Sequence, residues 1–145
     1  MSSSYGIATN IIAIPPSCQM IEVSGPTVIG SNQVTQVIPP TQNARGMILL
    51  SFYTQVIQSG MPGNLAQSLV VAAETAPTDF TSKTKCFPLY RTFQSDKQTP
   101  IALGGFAPIN VMAIRIPAGW GIWQVLNVVN AALDRNNMRF GVAFL

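Results

Sequence analysis

A chain of 145 residues is the size of one ordinary domain and is long enough to enclose an apolar core. It is 48% hydrophobic and only 9% charged, where about 25% is usual in soluble proteins, so Ser, Thr, Asn and Gln must supply the polar surface and little charge remains to oppose self-association. The eight basic and five acidic residues, net +3, are scattered singly except around Lys83, Lys85 and Arg91, which excludes the concentrated basic face or groove of a nucleic-acid-binding protein.

The chain opens with "MSSSYGIATNIIAIPPS". Without a basic segment ahead of its apolar part or a convincing cleavage site, this does not read as a secretory signal, and assembly in a cytoplasm is expected. Tyr5 to Ile14 has strand character, with Ile7 and Ile11 on one face and Ile12 and Ile14 on the other. A single sheet face cannot cover both sides of such a strand. Residues 1–16 are therefore expected to form an extended arm ordered by a partner, and residues 17–145 a β-sandwich domain.

The remaining elements alternate with period two between Gly, Pro and Asn punctuation, the mark of half-buried strands. Strands are expected at Gln19 to Val23, Gln33 to Ile38, within "GMILLSFYTQVIQ", at Ser68 to Glu74, Cys86 to Phe93, Asn110 to Ile116, Ile122 to Asn130 and Met138 to Leu145. Asn64 to Thr75 could alternatively be a helix capped by Asn64, with Leu65, Leu69 and Ala72 on one face. The β-rich "SLVV" and the "TAP" stop favour strand. "ALGGFAP" reads as a turn and "NAALDRNN" as a polar link. Apolar runs such as "MILLSFY" fall short of the roughly 18 to 20 residues that span a bilayer. Eight or nine short strands make an all-β, single-domain sandwich.

The inventory for chemistry is thin. The chain has no histidine, the commonest general base and metal ligand. Glu22, Glu74, Asp79, Asp96 and Asp134 are far apart in sequence, and a small hydrolase requires two of them to converge in a cleft. No phosphate loop, nucleophile elbow or calcium loop is present, so no catalytic, cofactor-binding or metal-binding residue is assigned. Cys18 and Cys86 fit no metal or redox spacing and read as buried free thiols, with a disulfide the alternative.

"IRIPAGWGIWQV", Ile114 to Val125, concentrates two tryptophans, two glycines and a proline. Pro117 ends one strand, Ala118 and Gly119 turn, and Trp120 restarts a strand through Ile122, Gln124 and Leu126. Trp120 and Trp123, three apart, point to opposite faces. The face carrying Trp123, Val125 and Val129 is the more continuously apolar and is expected to be the buried one. Trp120 is left for a partner or a sugar ring, or for plain packing.

"INVMAIRIPAGWGIWQVLNVV", followed by a final strand "MRFGVAFL", resembles the carboxy-terminal part of small virion structural proteins of tailed bacteriophages, and "LVVAAETAP" fits the same pattern. The resemblance covers roughly half of the chain and implies a jelly-roll-like sandwich without enzymatic activity that oligomerises on a capsid or tail; a trimer is the form expected of such modules. The resulting expectation is a capsid decoration or cement protein on the virion surface. Its partners are other copies of itself and the major capsid protein or other virion proteins, with no nucleic acid and no membrane, and its contacts run through Ile7, Ile11, Ile12, Ile14 and Trp120. A tail or fibre module that binds a host glycan or another tail protein is the alternative.

Overall fold

A computed structural model describes residues 17–58, 65–81, 85–94, 101–106 and 113–145. The proposed arm and its isoleucines Ile7, Ile11, Ile12 and Ile14 lie outside the described residues. The described chain forms nine strands, β1 (Cys18–Ser24), β2 (Gly30–Ile38), β3 (Met47–Gln58), β4 (Leu65–Ala73), β5 (Cys86–Gln94), β6 (Ile101–Phe106), β7 (Ile114–Ile116), β8 (Gly121–Val129) and β9 (Arg135–Phe144), and one 3-10 turn at Pro40–Gln42.

The strands pair as one long hairpin does. The first joins the last, β1 with β9; β2 joins β8, β3 joins β6 and β4 joins β5, all antiparallel. Rolling that hairpin brings β9 beside β3 and β8 beside β4, which closes two sheets, β1-β9-β3-β6 with β7 on the edge of β3, and β2-β8-β4-β5. This is a β-sandwich with jelly-roll connectivity.

Three readings of the sequence need correction. "ALGGFAP" is not a turn: Ile101–Phe106 is strand β6, paired with Tyr53–Gln58. The last strand starts within "NAALDRNN", at Arg135, three residues before Met138. The turn at Pro117 to Trp120 is a crossover between the sheets, because β7 pairs with β3 and β8 lies in the other sheet. Trp123 is buried, but not between the sheets. Ile122 and Leu126 belong to the inter-sheet clusters, whereas Trp123 packs with Leu69, Val71 and Ala73 on the outer face of the four-stranded sheet, covered by Phe80 and Cys86. The helical alternative for Asn64 to Thr75 is not realised; Leu65–Ala73 is strand β4, central in its sheet.

The two-faced apolarity of β3 has a local cause. Its pairing with β9 slips between Leu49 and Ser51, so Leu50 is an extra residue in the ladder. A bulge reverses the side-chain parity downstream. Met47 and Leu49 therefore face the core above it, and Phe52, Thr54 and Val56 are buried below it.

Between the sheets the apolar side chains fall into two clusters, a large one around Ile38, Met47, Phe140 and Ile122 and a smaller one around Val56, Leu126 and Leu133. A polar layer separates them. Thr54 on β3, Ser68 on β4 and Gln124 on β8 each sit between members of the two clusters, and all are buried. Gln124 and Asn136 exchange amide hydrogen bonds across the sheets, both at 2.9 Å, while Gln124 also donates to Ser68 Oγ at 2.9 Å and Asn136 to the Pro26 carbonyl at 3.0 Å. Buried amides are tolerated when paired in this way.

Candidate functional site

At one end of the sandwich the two sheets part at their edges and leave an apolar cleft of about 250 Å³. Phe87 and Leu89 of β5 line it from one sheet, Ile114, Arg115 and Ile116 of β7 from the other, and Ala72, Pro117 and Trp120 complete the lining. Among the described residues, β5 pairs only with β4 and β7 only with β3, so the cleft runs between two unpaired strand edges. Pro88 sits within β5 without an N–H to donate, which suits an edge strand. Its neighbour Leu89 is an extra residue in the pairing with β4, where Val70 faces Tyr90 and Val71 faces Pro88.

Trp120 is held in place from its backbone. Its N–H donates to the Pro117 carbonyl at 3.2 Å, closing the turn, and Gly119 takes φ +79°, a left-handed conformation that glycine adopts without steric cost. Asn43, fully buried at the end of the 3-10 turn, spends both amide hydrogens on this turn, donating to the Pro117 carbonyl at 2.7 Å and the Trp120 carbonyl at 2.9 Å. The main-chain carbonyl of Asn43 accepts from the Gly119 N–H at 2.7 Å. The second glycine has a different reason. A Cβ on Gly121 would stand 2.5 Å from the Ile38 carbonyl and 3.0 Å from Pro40, so the strand can pass there only bare. The clustered glycines, proline and tryptophan of "IPAGWG" are thus the parts of a crossover that carries a half-buried Trp120 to the cleft.

Of the residues expected at an interface, Trp120 is at the cleft, and the four isoleucines lie outside the described residues. The sequence reading missed Phe87, Leu89, Ile114 and Ile116. Pro88 is the one signal that marks β5 as an edge and its neighbours as rim. Phe87 is 57% exposed, a large apolar surface left open beside the cleft.

A second depression, of about 330 Å³, lies on the outer face of the five-stranded sheet and is polar. Arg139 Nη2 meets Glu22 Oε1 at 3.1 Å, Arg135 Nη1 donates to Gln55 Oε1 at 3.2 Å, and Tyr53 stands exposed among them. The carboxylate of Glu74 likewise faces a cation, Lys85 Nζ at 2.6 Å. Among the described residues no group of three or more Cys, Asp or Glu side chains could hold a metal, and no helix is long and apolar enough to cross a membrane. Cys18 and Cys86 are free thiols on different sheets, and burial pushes the Cys86 thiol above its ordinary value.

No protein-family model and no curated protein matches the chain. Similar solved structures include that of murine APRIL at pH 8.0, with 16% identity over 86% of this chain and 98% of that one and a TM-score of 0.48.

Proposed function

We propose that this chain is a non-enzymatic virion structural protein, a capsid decoration or cement protein that bridges neighbouring subunits of a shell. The observation that carries the reading is the rim: an apolar cleft with an exposed Phe87 and a half-buried Trp120, between two strand edges that are unpaired among the described residues, on a chain with only 9% charged residues. Such a surface gains free energy by being covered, through apolar burial and through main-chain hydrogen bonds to a partner strand. On a repeating lattice many modest contacts act together, so no single one has to be strong. Copies of the chain and a shell protein are the partners, a trimer is the form we assign it, and the virion surface, reached from the host cytoplasm, is its place.

The test is copy number. Purified protein added to shells that lack it should bind in hundreds of copies per particle and raise the temperature at which the shells come apart. Binding in a handful of copies would move the protein to a tail or vertex, and no binding at all would refute the reading. The polar depression around Tyr53 supports a second reading, a host-glycan contact on a tail or fibre, since an exposed ring bordered by arginines and amides suits a sugar. A glycan array probed with the native chain and with Tyr53→Ala checks it: signal lost in the variant supports it.

A further inference from the structure

We infer that the cleft between β5 and β7 is the seat of the isoleucine arm, residues Ile7 to Ile14, of a second copy of this chain. The inference rests on the reading of the chain as a self-assembling structural protein and names the partner of its rim.

The needs of the arm and the form of the cleft match. A strand with Ile7 and Ile11 on one face and Ile12 and Ile14 on the other requires apolar cover on both faces, which one sheet cannot give. The cleft has two apolar walls from different sheets, Phe87 and Leu89 on one side and Ile114 and Ile116 on the other. Its volume of about 250 Å³ exceeds the ~150 Å³ that takes up a benzene, room for the side chains of about two isoleucines. The flanking edges of β5 and β7 can hydrogen-bond the main chain of an incoming strand. The chain outside the described residues also leaves from the right end. Cys18, where β1 begins, shares one cross-strand row with Ala143, Ile48 and Arg115, so the arm departs three strand spacings, about 14 Å, from the cleft wall.

The arm of another copy is the better occupant. Only 9% of the residues are charged, so little opposes the association of copies, and exchange of an identical segment between copies is a low-cost route to an oligomer. The ten residue steps from Ser17 back to Ile7 reach at most about 36 Å, enough to span to a neighbouring copy.

The experiment uses the full chain with Cys18→Ser and Cys86→Ser, to which Ile12→Cys and Phe87→Cys are added. A mixture of light and nitrogen-15-labelled protein is oxidised and its linked peptides are weighed. Disulfides between residues 12 and 87 that join a light to a heavy peptide are expected; links only within one isotope, or none, overturn the inference. Phe87→Asp, at an exposed site that leaves folding intact, and removal of residues 1–16 should each weaken self-association about tenfold or more, and together no further. If Phe87→Asp associates normally, the inference falls while shell binding can still hold. If association depends on arm and cleft but shells are not decorated, the proposed function falls and the inference stands.

Discussion

The two sheets turn different outer faces to their surroundings. On the four-stranded sheet, Trp123 and Val125 are buried although they point away from the inter-sheet core, because Leu69, Val71, Ala73 and the loop residue Phe80 build a second apolar layer there. The five-stranded sheet shows Glu22, Tyr53, Gln55 and Arg139 on its outer face, in a shallow polar depression. The interior shows the reverse exchange, since the buried side of β8 carries Gln124 and that of β9 carries Asn136. Apolar continuity along a strand therefore reports how many layers cover it, and does not by itself say which face is the core.

If both faces of the four-stranded sheet are structural, emptying the outer one should cost as much as emptying the inner one. Trp123→Ala is expected to lose about 3 to 5 kcal/mol, the usual range for a large buried aromatic. Tyr53→Ala, on the outer face of the other sheet, should stay within about 1 kcal/mol. Urea unfolding of both variants checks the difference; a Trp123 loss as small as that of Tyr53 would mean that the outer layer is only a lid.

This contrast also explains what was legible beforehand. Eight of the nine described strands show in the period-two pattern because β-branched and aromatic residues cluster between Gly and Pro breaks. β6 was missed because Gly104 and Gly105 look like a turn, yet they pair with Gln55 and Thr54 of a strand that supplies the side chains. The inward face of β8 was misassigned because Gln124 breaks its apolar run, and only the fold brings Asn136 from twelve residues away to pair with it. The cleft depends on Phe87 and Ile114, on strands that meet only after the sheets close, and no local signal joins them. Trp120 could be singled out because its cause is local: a turn closed by Gly119 and followed by a position with no room for a Cβ.

The polar layer between the clusters should be nearly as costly to damage as the outer aromatic layer, but differently curable. Asn136→Ala leaves Gln124 Oε1 and the Pro26 carbonyl without their donor, and about 2 to 3 kcal/mol should be lost. Adding Gln124→Met to Asn136→Leu removes both amides and refills the space, and should recover the part of that loss that comes from Gln124 while the Pro26 carbonyl stays unpaired. Thermal melts of the single and double variants decide. A double variant as weak as Asn136→Ala would show that the layer contributes more than its paired hydrogen bonds.

At the rim the expectation is smaller for folding and larger for assembly. Trp120 is half-buried and anchored through its backbone by Asn43, so Trp120→Ala should cost about 1 to 2 kcal/mol. The same variant should lower self-association, measured by sedimentation. Trp123→Ala, studied at a temperature where it stays folded, should leave association unchanged, since its ring lies under the outer layer and away from the cleft. Equal effects of the two tryptophans on association would erase the distinction between rim and layer.

The smallest effect belongs to the polar outer face. Glu22 and Arg139 stand directly opposite each other on β1 and β9 and meet at 3.1 Å, with side chains 58% and 53% exposed. A cross-strand pair of opposite charges is favourable, but at this exposure water and salt screen most of the attraction, and two long side chains lose freedom in meeting. A double-mutant cycle with Glu22→Gln and Arg139→Gln should therefore return a coupling of no more than about 0.5 kcal/mol, falling further at 1 M salt. A coupling above about 2 kcal/mol that survives salt would mean that the pair is shielded from water in solution. Because the isolated chain leaves both groups open, the shield would have to be another molecule, and the face read here as solvated would become an interface.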